Sequence, residues 1–180
     1  MTQRFPGPRA RATRDQEEWT MHKTKNSLSQ NVRQEAIELL NRNLALALDL
    51  KLQSKQAHWN VKGPSFIALH ELFDKVATSA DEFADLIAER VAALGGTAEG
   101  TLAAVSKRTT LAAYPLKLAS GAEHVEALSS ALAAFGTSAR AAIDEATRFG
   151  DADTADIFTE VSREADKQLW FVEAHAQAKA

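Results

Sequence analysis

The sequence predicts an all-α fold, and three observations support this prediction. The chain of 180 residues contains only 8 Gly and 4 Pro, too few for the many tight turns of a β-sandwich or barrel. It also lacks the series of strand-length Val/Ile runs that a doubly wound sheet needs. Apolar residues instead recur at helical spacing over four long segments, and hydrophobic residues, at 45% of the chain, suffice to form a core.

The first two helices are expected to form a hairpin. Ser27 and Gln30 have the spacing of a capping box, which predicts a first helix from there to about Asn60. Residues 61–64, with the sequence VKGP, supply a turn whose proline suits the first turn of the next helix. The second helix is then expected to continue until the Gly pair at 95–96 stops it.

A long connection separates this hairpin from the second half of the chain. Between residues 97 and 119 the apolar pattern weakens, and only a short helix near 102–105 is expected. Ser120 and Glu123 then form another capping box, which opens a third helix. Gly150 is expected to end that helix.

The fourth helix completes a bundle. Either Asp151 or Asp153 can cap it. Four long helices joined by a short turn, a long crossover and another short turn are typical of a ferritin-like four-helix bundle. We therefore predict a flexible basic arm, the bundle and a short tail, at residues 1–26, 27–176 and 177–180.

Cysteine content and hydropathy exclude several classes of protein. The chain has no Cys, which excludes disulfides, thiolate zinc sites, iron–sulfur clusters and cysteine nucleophiles. A bound metal would therefore need His and carboxylate ligands. No uncharged stretch approaches the roughly 18 residues that a membrane span requires, and the N-terminal segment lacks the apolar region of a secretory signal. The expected location is the cytoplasm.

The N-terminal 25 residues form a basic arm on an acidic body. They carry six basic and three acidic side chains, a net charge of +3, which leaves −6 on the rest of the chain. Such an arm can contact DNA phosphates without making the whole surface adhesive, although a solvated leader has the same composition. The candidate DNA-binding residues are Arg4, Arg9, Arg11, Arg14, Lys23 and Lys25.

Two histidines and three carboxylates have the composition and spacing of a metal site. His58 and His70 lie about six residues on either side of the turn, so a helical hairpin brings them together. Asp74 lies one helical turn after His70, and Asp85 and Glu89 repeat the same i, i+4 spacing. Imidazole and carboxylate ligands suit iron, manganese or zinc. Taken singly, each pair is also compatible with a solvated helix surface.

The spacing along the second helix points to a site shared by two chains. His70 and Glu89 are separated by roughly 28 Å along one helix, too far for one chain to hold a single ion with both. The pairs 70/89 and 74/85 have the same midpoint, so two antiparallel copies crossing there would place Asp74 opposite Asp85 and His70 near Glu89. The small residues expected to permit this crossing are Ala77, Thr78, Ser79 and Ala80.

Longer motifs resemble the Dps family, the DNA-binding proteins from starved cells, also called mini-ferritins. The resemblance covers residues 36–174. The motifs are KQAHWNVKGPSFIALHELFD (55–74), DEFADLIAERVAALGG (81–96), AAYPLK (112–117), DTADI (153–157) and DKQLWFVE (166–173). The resemblance implies a hollow homododecamer that oxidises Fe(II), preferentially with hydrogen peroxide, stores ferric mineral and associates with DNA in the nucleoid.

The resemblance also assigns roles to individual residues. It implies that His58, His70 and Asp74 of one subunit and Asp85 and Glu89 of its two-fold mate bind the iron. Trp59 is similar to a family tryptophan that takes up a stray oxidising equivalent, although core packing would also account for it.

Other polar and aromatic residues receive more general assignments. Asp153 is our first choice for an iron-conducting pore, because it lies in an acidic stretch over residues 144–166. Trp170 and Phe171 are expected in the core. The histidines that match no ligand pattern, and are assigned to the surface or to packing, are His22, His124 and His175.

Two alternatives to this function differ in class. A conventional ferritin or di-iron oxygenase uses Glu-x-x-His pairs, and none of the five His has Glu three residues before it. The other alternative is a structural, nucleoid-compacting protein with minor iron chemistry, for which the basic arm is the main support.

Overall fold

The computed structural model describes residues 21–177 and shows an all-helical bundle. The helices are α1 (Gln30–Asn60), α2 (Phe66–Ala93), α3 (Leu102–Arg108), α4 (Gly121–Phe149) and α5 (Ala152–Gln177). The two hairpins, α1 with α2 and α4 with α5, join through contacts of α1 with α4 and of α2 with α5. The predicted four-helix bundle with a short helix in its long crossover is confirmed, and residues 21–177 contain no strand.

The start of α1 differs from the prediction. Ser29 is the N-cap and accepts a hydrogen bond from the Val32 amide, so the predicted cap at Ser27 is wrong. The side chain of Asn26 accepts from the Leu28 amide at 2.9 Å, and this local turn packs Leu28 against the core. Ser27 lies within that turn, so the helix begins only after Ser29.

The Gly pair at 95–96 ends α2 as predicted, for two separate reasons. Gly95 has a φ of +88°, and a Cβ there would lie 2.6 Å from the carbonyl oxygen of His22. Gly96 packs on Ile37 of α1, where a Cβ would lie 2.8 Å from the side chain. The His22 amide also donates to the Gly95 carbonyl at 2.8 Å, so residues just before α1 are tied to the end of α2.

The second hairpin begins and turns at the predicted residues. Ser120 and Glu123 form the capping box of α4, and their hydrogen bonds hold the pKa of Glu123 below its usual range. Gly150, with φ +87°, ends α4 in the left-handed conformation. Asp151 accepts from the amide and hydroxyl of Thr154, so it, rather than Asp153, holds the first turn of α5.

The core lies between the four long helices. Its largest fully buried side chains include Phe73, Phe135 and Phe158, one each from α2, α4 and α5. The prediction that Trp170 lies in this core is wrong, because its side chain is 61% exposed. Gln168 and Val172 are the buried residues on this part of α5, and a residue two positions from each lies on the opposite side of the helix. No helix within residues 21–177 has the length and apolarity of a membrane span.

Candidate metal centre

The turn between α1 and α2 brings two histidine rings into contact. His58 lies in the last turn of α1, and His70 lies in the second turn of α2. Their ring centroids are 3.7 Å apart and the rings are stacked, with an interplanar angle of 21°. The predicted proximity of these two side chains is therefore present in a single chain.

Each histidine is oriented by the backbone of the other. Nδ1 of His58 lies 2.8 Å from the carbonyl oxygen of His70, and Nδ1 of His70 lies 2.8 Å from the carbonyl oxygen of His58. A carbonyl oxygen only accepts, so each Nδ1 must carry the proton. In the neutral rings each Nε2 then has a free lone pair, which is the form of histidine that binds a metal ion.

Asp74 lies beside the two rings and is paired with a lysine. Nζ of Lys55 donates to Oδ1 of Asp74 at 2.6 Å. This hydrogen bond holds the pKa of Asp74 below its usual range, and the charge of Lys55 acts in the same direction against the effect of burial. Lys55 also lies 5.9 Å from the ring centroid of Trp59. Sequence reasoning missed Lys55, whose only signal was its position one helical turn before His58.

The histidine pair opens into a cleft of about 710 Å³. Helix α5 forms its far wall with Lys167, Gln168 and Phe171, a contribution that the sequence analysis did not foresee. The Gln168 amide donates to Ser79 at 3.2 Å and to Glu164 at 2.8 Å, which ties α5 to α2 behind the cleft. The cleft is therefore held by three helices of one chain.

The other two predicted ligands do not reach this cleft. Asp85 and Glu89 are exposed farther along α2, and the helical rise separates Glu89 from His70 by roughly 28 Å. Among residues 21–177, no three His or carboxylate side chains converge as a metal site would require. The single chain thus places His58, His70 and Asp74 at one end of α2 and the two remaining carboxylates toward the other.

The small residues near the middle of α2 do not form the predicted contact surface. Ala77, Ser79 and Ala80 are buried within the chain's own bundle, and only Thr78 is exposed. The inward stripe of α2 includes Val76, Ala80 and Phe83, so helical periodicity turns three of the four small residues inward. The exposed residues that follow Asp74 along the outer stripe are Thr78, Asp81, Glu82, Asp85 and Glu89.

The remaining predicted site residues lie away from the cleft. The Asp153 side chain is 81% exposed, and its carboxylate lies 3.5 Å from the guanidinium group of Arg90. Lys23 and Lys25 are exposed near the end of α2, whereas Arg4, Arg9, Arg11 and Arg14 lie outside the described residues. His22 and His175 are exposed, and His124 is buried in packing, as expected from their lack of a ligand pattern.

Trp59 and its surroundings form an exposed apolar patch around the hairpin turn. The Trp59 side chain is 65% exposed, so packing within the chain's own core does not account for it. Leu52 lies two helical turns before Trp59 on α1, and Phe66 and Ile67 open α2 on the other side of the turn; all three are exposed. Several large apolar side chains exposed on the same two helices are typical of a protein–protein contact.

Comparison with known proteins gives consistent matches over the bundle. Residues 37–179 match the ferritin-like domain family. A DNA protection during starvation protein of Agrobacterium fabrum is 51% identical over 159 residues, covering 88% of this chain and 98% of that protein. The protein of the same name from Mycolicibacterium smegmatis is 32% identical over 151 residues, covering 84% of this chain and 82% of that protein. Among solved structures, DpsC from Streptomyces coelicolor has a TM-score of 0.85 at 31% identity, covering 89% of this chain and 94% of that one.

Proposed function

This chain belongs to the Dps family of ferritin-like proteins, and we propose that it is a ferroxidase that stores the iron it oxidises. Its substrates would be Fe(II) and, as the preferred oxidant, hydrogen peroxide. The ferric product would accumulate inside a hollow homododecamer. The observation that carries this proposal is the stacked His58–His70 pair, in which both Nε2 atoms are free to bind metal.

The proposed iron site is shared across a two-fold axis. Two copies of α2 that cross antiparallel at the midpoint of residues 70 and 89 would bring the partner's Asp85 to Asp74 and the partner's Glu89 to His70. The exposure of Asp85 and Glu89 supports this arrangement, because both carboxylates are available to a second subunit. Each dimer would then hold two equivalent sites, one at each end of the crossing.

The apolar patch around Trp59 supports the same dimer. It lies on α1 and α2 next to the histidine pair, so a subunit that supplies the missing carboxylates would also cover this surface. Burial of Trp59 at the contact would place an oxidisable indole beside the iron, where it could take up a stray oxidising equivalent.

The ligands favour oxidation of the bound iron. Imidazole nitrogens bind Fe(II) well, and the hard carboxylate oxygens stabilise the Fe(III) product. Lys55 keeps Asp74 ionised before metal arrives, and an incoming Fe(II) then competes with the ammonium for that carboxylate. Removal of one electron from each of two ferrous ions reduces one peroxide to hydroxide or water without release of hydroxyl radical.

We also propose that the protein binds DNA without sequence specificity through its basic arm. Six basic side chains per subunit, presented twelve times, give about 72 positive groups on one particle, and multivalency strengthens weak phosphate contacts. The corresponding location would be the cytoplasm, in association with the nucleoid. The alternative, a mainly structural nucleoid protein with minor iron chemistry, predicts strong DNA binding and slow Fe(II) oxidation.

The test is anaerobic loading of the assembled protein with Fe(II), followed by hydrogen peroxide, with Fe(III) formation and peroxide consumption both measured. We expect two Fe(II) oxidised per peroxide. The double variant His58→Ala/Asp85→Ala removes ligands from both sides of each shared site and should lose rapid oxidation. Glu126→Gln, which removes an exposed carboxylate on α4 outside the cleft, is the matched control. Rapid oxidation by the double variant would contradict the proposal.

A further inference from the structure

A tyrosine and a histidine form a short hydrogen bond outside the candidate metal centre. Tyr114, the one tyrosine in the chain, lies in the crossover, and its hydroxyl is 2.6 Å from Nδ1 of His124 near the start of α4. His124 is only 1% exposed. In residues 21–177 this imidazole is the one base within hydrogen-bond distance of the phenol. Neither residue has a role in the proposed iron site.

The protonation states make the pair a proton donor and a proton acceptor. Burial raises the pKa of Tyr114 to about 12, so the phenol is protonated at neutral pH. Burial lowers the pKa of His124, partly opposed by the charge of Glu123 and the Asn60 carbonyl, so the imidazole is neutral. The phenol therefore donates to Nδ1, and the imidazole carries its own proton on Nε2.

Burial on balance disfavours a second proton on the ring of His124, but the charge of Glu123 and the Asn60 carbonyl partly offset this effect. Nε2 is buried, and within the described residues it makes no hydrogen bond. The backbone carbonyl of Asn60, at the end of α1, lies near the ring and favours its protonated form. Cations are stabilised near the carboxyl end of a helix. An imidazolium formed here would lie near that end of α1, although His124 is also in the first turn of α4, whose amino end disfavours a cation.

We propose that Tyr114 and His124 are a redox pair, in which Tyr114 gives one electron to a strong one-electron oxidant while its phenolic proton moves to Nδ1 of His124. Oxidation of a phenol makes its O–H group strongly acidic, so the electron leaves readily only where a base takes the proton. The products are a neutral tyrosyl radical and an imidazolium. The proton returns to the phenoxyl oxygen when the radical is reduced.

The pair would serve the iron chemistry by capturing hydroxyl radical, and this part of the inference rests on the proposed function. If one Fe(II) reduces peroxide alone, the products are Fe(III), hydroxide and hydroxyl radical. Tyr114 reduces that radical to hydroxide, and a second Fe(II) then reduces the tyrosyl radical as the proton returns. The sum is two Fe(II) oxidised and one peroxide reduced to two hydroxides, so no oxidising equivalent escapes.

The position of the pair relative to the histidine cleft supports this link. Asn60, which lies near His124, is two residues after His58, or about 3 Å along the axis of α1. The Tyr114 ring lines a cavity of about 220 Å³ whose other walls are mostly alanine, with Gln53 and Ser130 as its polar side chains. The residues that line this cavity with Tyr114 are hard to oxidise, so none of them competes with Tyr114 as an electron donor.

The pair can be tested without iron. A photochemically generated one-electron oxidant, such as oxidised ruthenium tris(bipyridine), is applied to the assembled protein, and the radical is followed by optical absorption and electron paramagnetic resonance. The wild-type protein should give a tyrosyl signal with a solvent deuterium isotope effect, and Tyr114→Phe should give none. Trp170→Phe is the matched control, because it removes an exposed indole and should leave the tyrosyl signal unchanged.

The variant His124→Gln tests the proton transfer. Glutamine can still accept a hydrogen bond from the phenol but cannot take its proton, so radical formation should slow by roughly 100-fold, the low end of what a positioned base contributes. A rate equal to that of the wild type, without a solvent isotope effect in either protein, would overturn the redox pair.

A second arm, with Fe(II) and peroxide, separates the inference from the proposed function. Tyrosyl radical should appear during iron oxidation, and Tyr114→Phe should release more hydroxyl radical to a spin trap. Iron oxidation without the radical would refute the inference while leaving the ferroxidase proposal intact. Failure to oxidise iron, with a normal photochemical signal, would refute the ferroxidase proposal and leave the redox pair supported.

Discussion

Complementation between two inactive variants gives the sharpest test of a shared iron site. His58→Ala removes a ligand at the end of α1, beside the start of α2, and Asp85→Ala removes one toward the other end of α2. If each site takes these ligands from different subunits, each variant alone has two damaged sites per dimer. We expect each parent to retain less than about a hundredth of the wild-type rate of peroxide-dependent oxidation, since loss of supporting residues alone costs 10- to 100-fold.

The mixed particle should recover activity by a calculable amount. In a mixed dimer, one site combines the intact His58 of the Asp85→Ala chain with the intact Asp85 of the other chain, and the second site lacks both ligands. Random pairing makes about half of the dimers mixed, and half of the sites in those dimers are complete. The mixture should therefore show about a quarter of the wild-type activity.

The assay is stopped-flow Fe(III) formation on particles purified through two different affinity tags, one on each variant. A mixture of His58→Ala with His70→Ala is the matched control, because both changes lie on the same side of the site and no mixed dimer has a complete one. Purified mixed particles that show no recovery would falsify the shared site. Equal recovery in the control would show that mixing itself, rather than ligand sharing, restores activity.

Four further predictions concern assembly, stability and DNA. The native particle should have a mass of about 234 kDa, twelve times the 19.5 kDa chain, and light scattering that gives a stable monomer or a 24-mer contradicts this. Asp151→Ala leaves the nearly buried Arg90 without its 2.6 Å partner and should cost about 3 kcal/mol in denaturant unfolding, and an unchanged midpoint would refute that role. The pKa of Asp74 is lower in the folded than in the unfolded protein, so its pairing with Lys55 stabilises the fold at a pH above the unfolded-state pKa, and this contribution is lost as the pH falls through the folded-state pKa. Lys55→Met should therefore be less stable than the wild type at neutral pH, by under about 1 kcal/mol because both side chains are partly exposed. The stabilities of the two proteins should converge in acid. Deletion of residues 1–14 should leave the shell and Fe(II) oxidation intact but weaken gel-shift retardation of DNA at every salt concentration. A variant that keeps these residues but changes their four arginines to glutamine should show the same loss of DNA binding; the arginines are Arg4, Arg9, Arg11 and Arg14.

The structure changes where such a truncation should be made. A predicted arm of residues 1–26 suggests deletion up to the first helix. However, Met21 packs against the core and the His22 amide is bonded to Gly95. Deletion through residue 25 would therefore remove contacts of the bundle together with basic charge, whereas deletion through residue 14 removes four arginines and keeps the contacts of Met21 and His22.

Local features of the helices could be predicted from the sequence because each depends on a few adjacent residues. The capping box at Ser120 and the left-handed Gly150 follow from side-chain and backbone preferences within one turn. The prediction at Ser27 failed for an equally local reason. The Asn26 side chain accepts a hydrogen bond from the Leu28 amide, and the capping pattern alone did not distinguish Ser27 from Ser29, two residues later.

Contacts between helices were harder to predict because they depend on how each helix is rotated about its axis. No sequence pattern indicated that Gln168 and Phe171 lie in the wall of the cleft, since α5 is distant from His58 along the chain. Likewise, small side chains at 77–80 suit either a partner or the bundle interior. Three of the four are buried in the bundle interior because of how α2 is rotated about its axis.

The histidine pair combines both kinds of information. The length of the turn brings His58 and His70 together, which spacing alone predicts, but the proton positions depend on where α1 ends. The last four carbonyls of a helix lack partners within it, and that of His58 is one of these because α1 ends at Asn60. It is therefore free to accept from Nδ1 of His70. An α1 one turn longer would occupy this carbonyl within the helix, so the end of α1 helps set which ring nitrogen of His70 remains available to a metal.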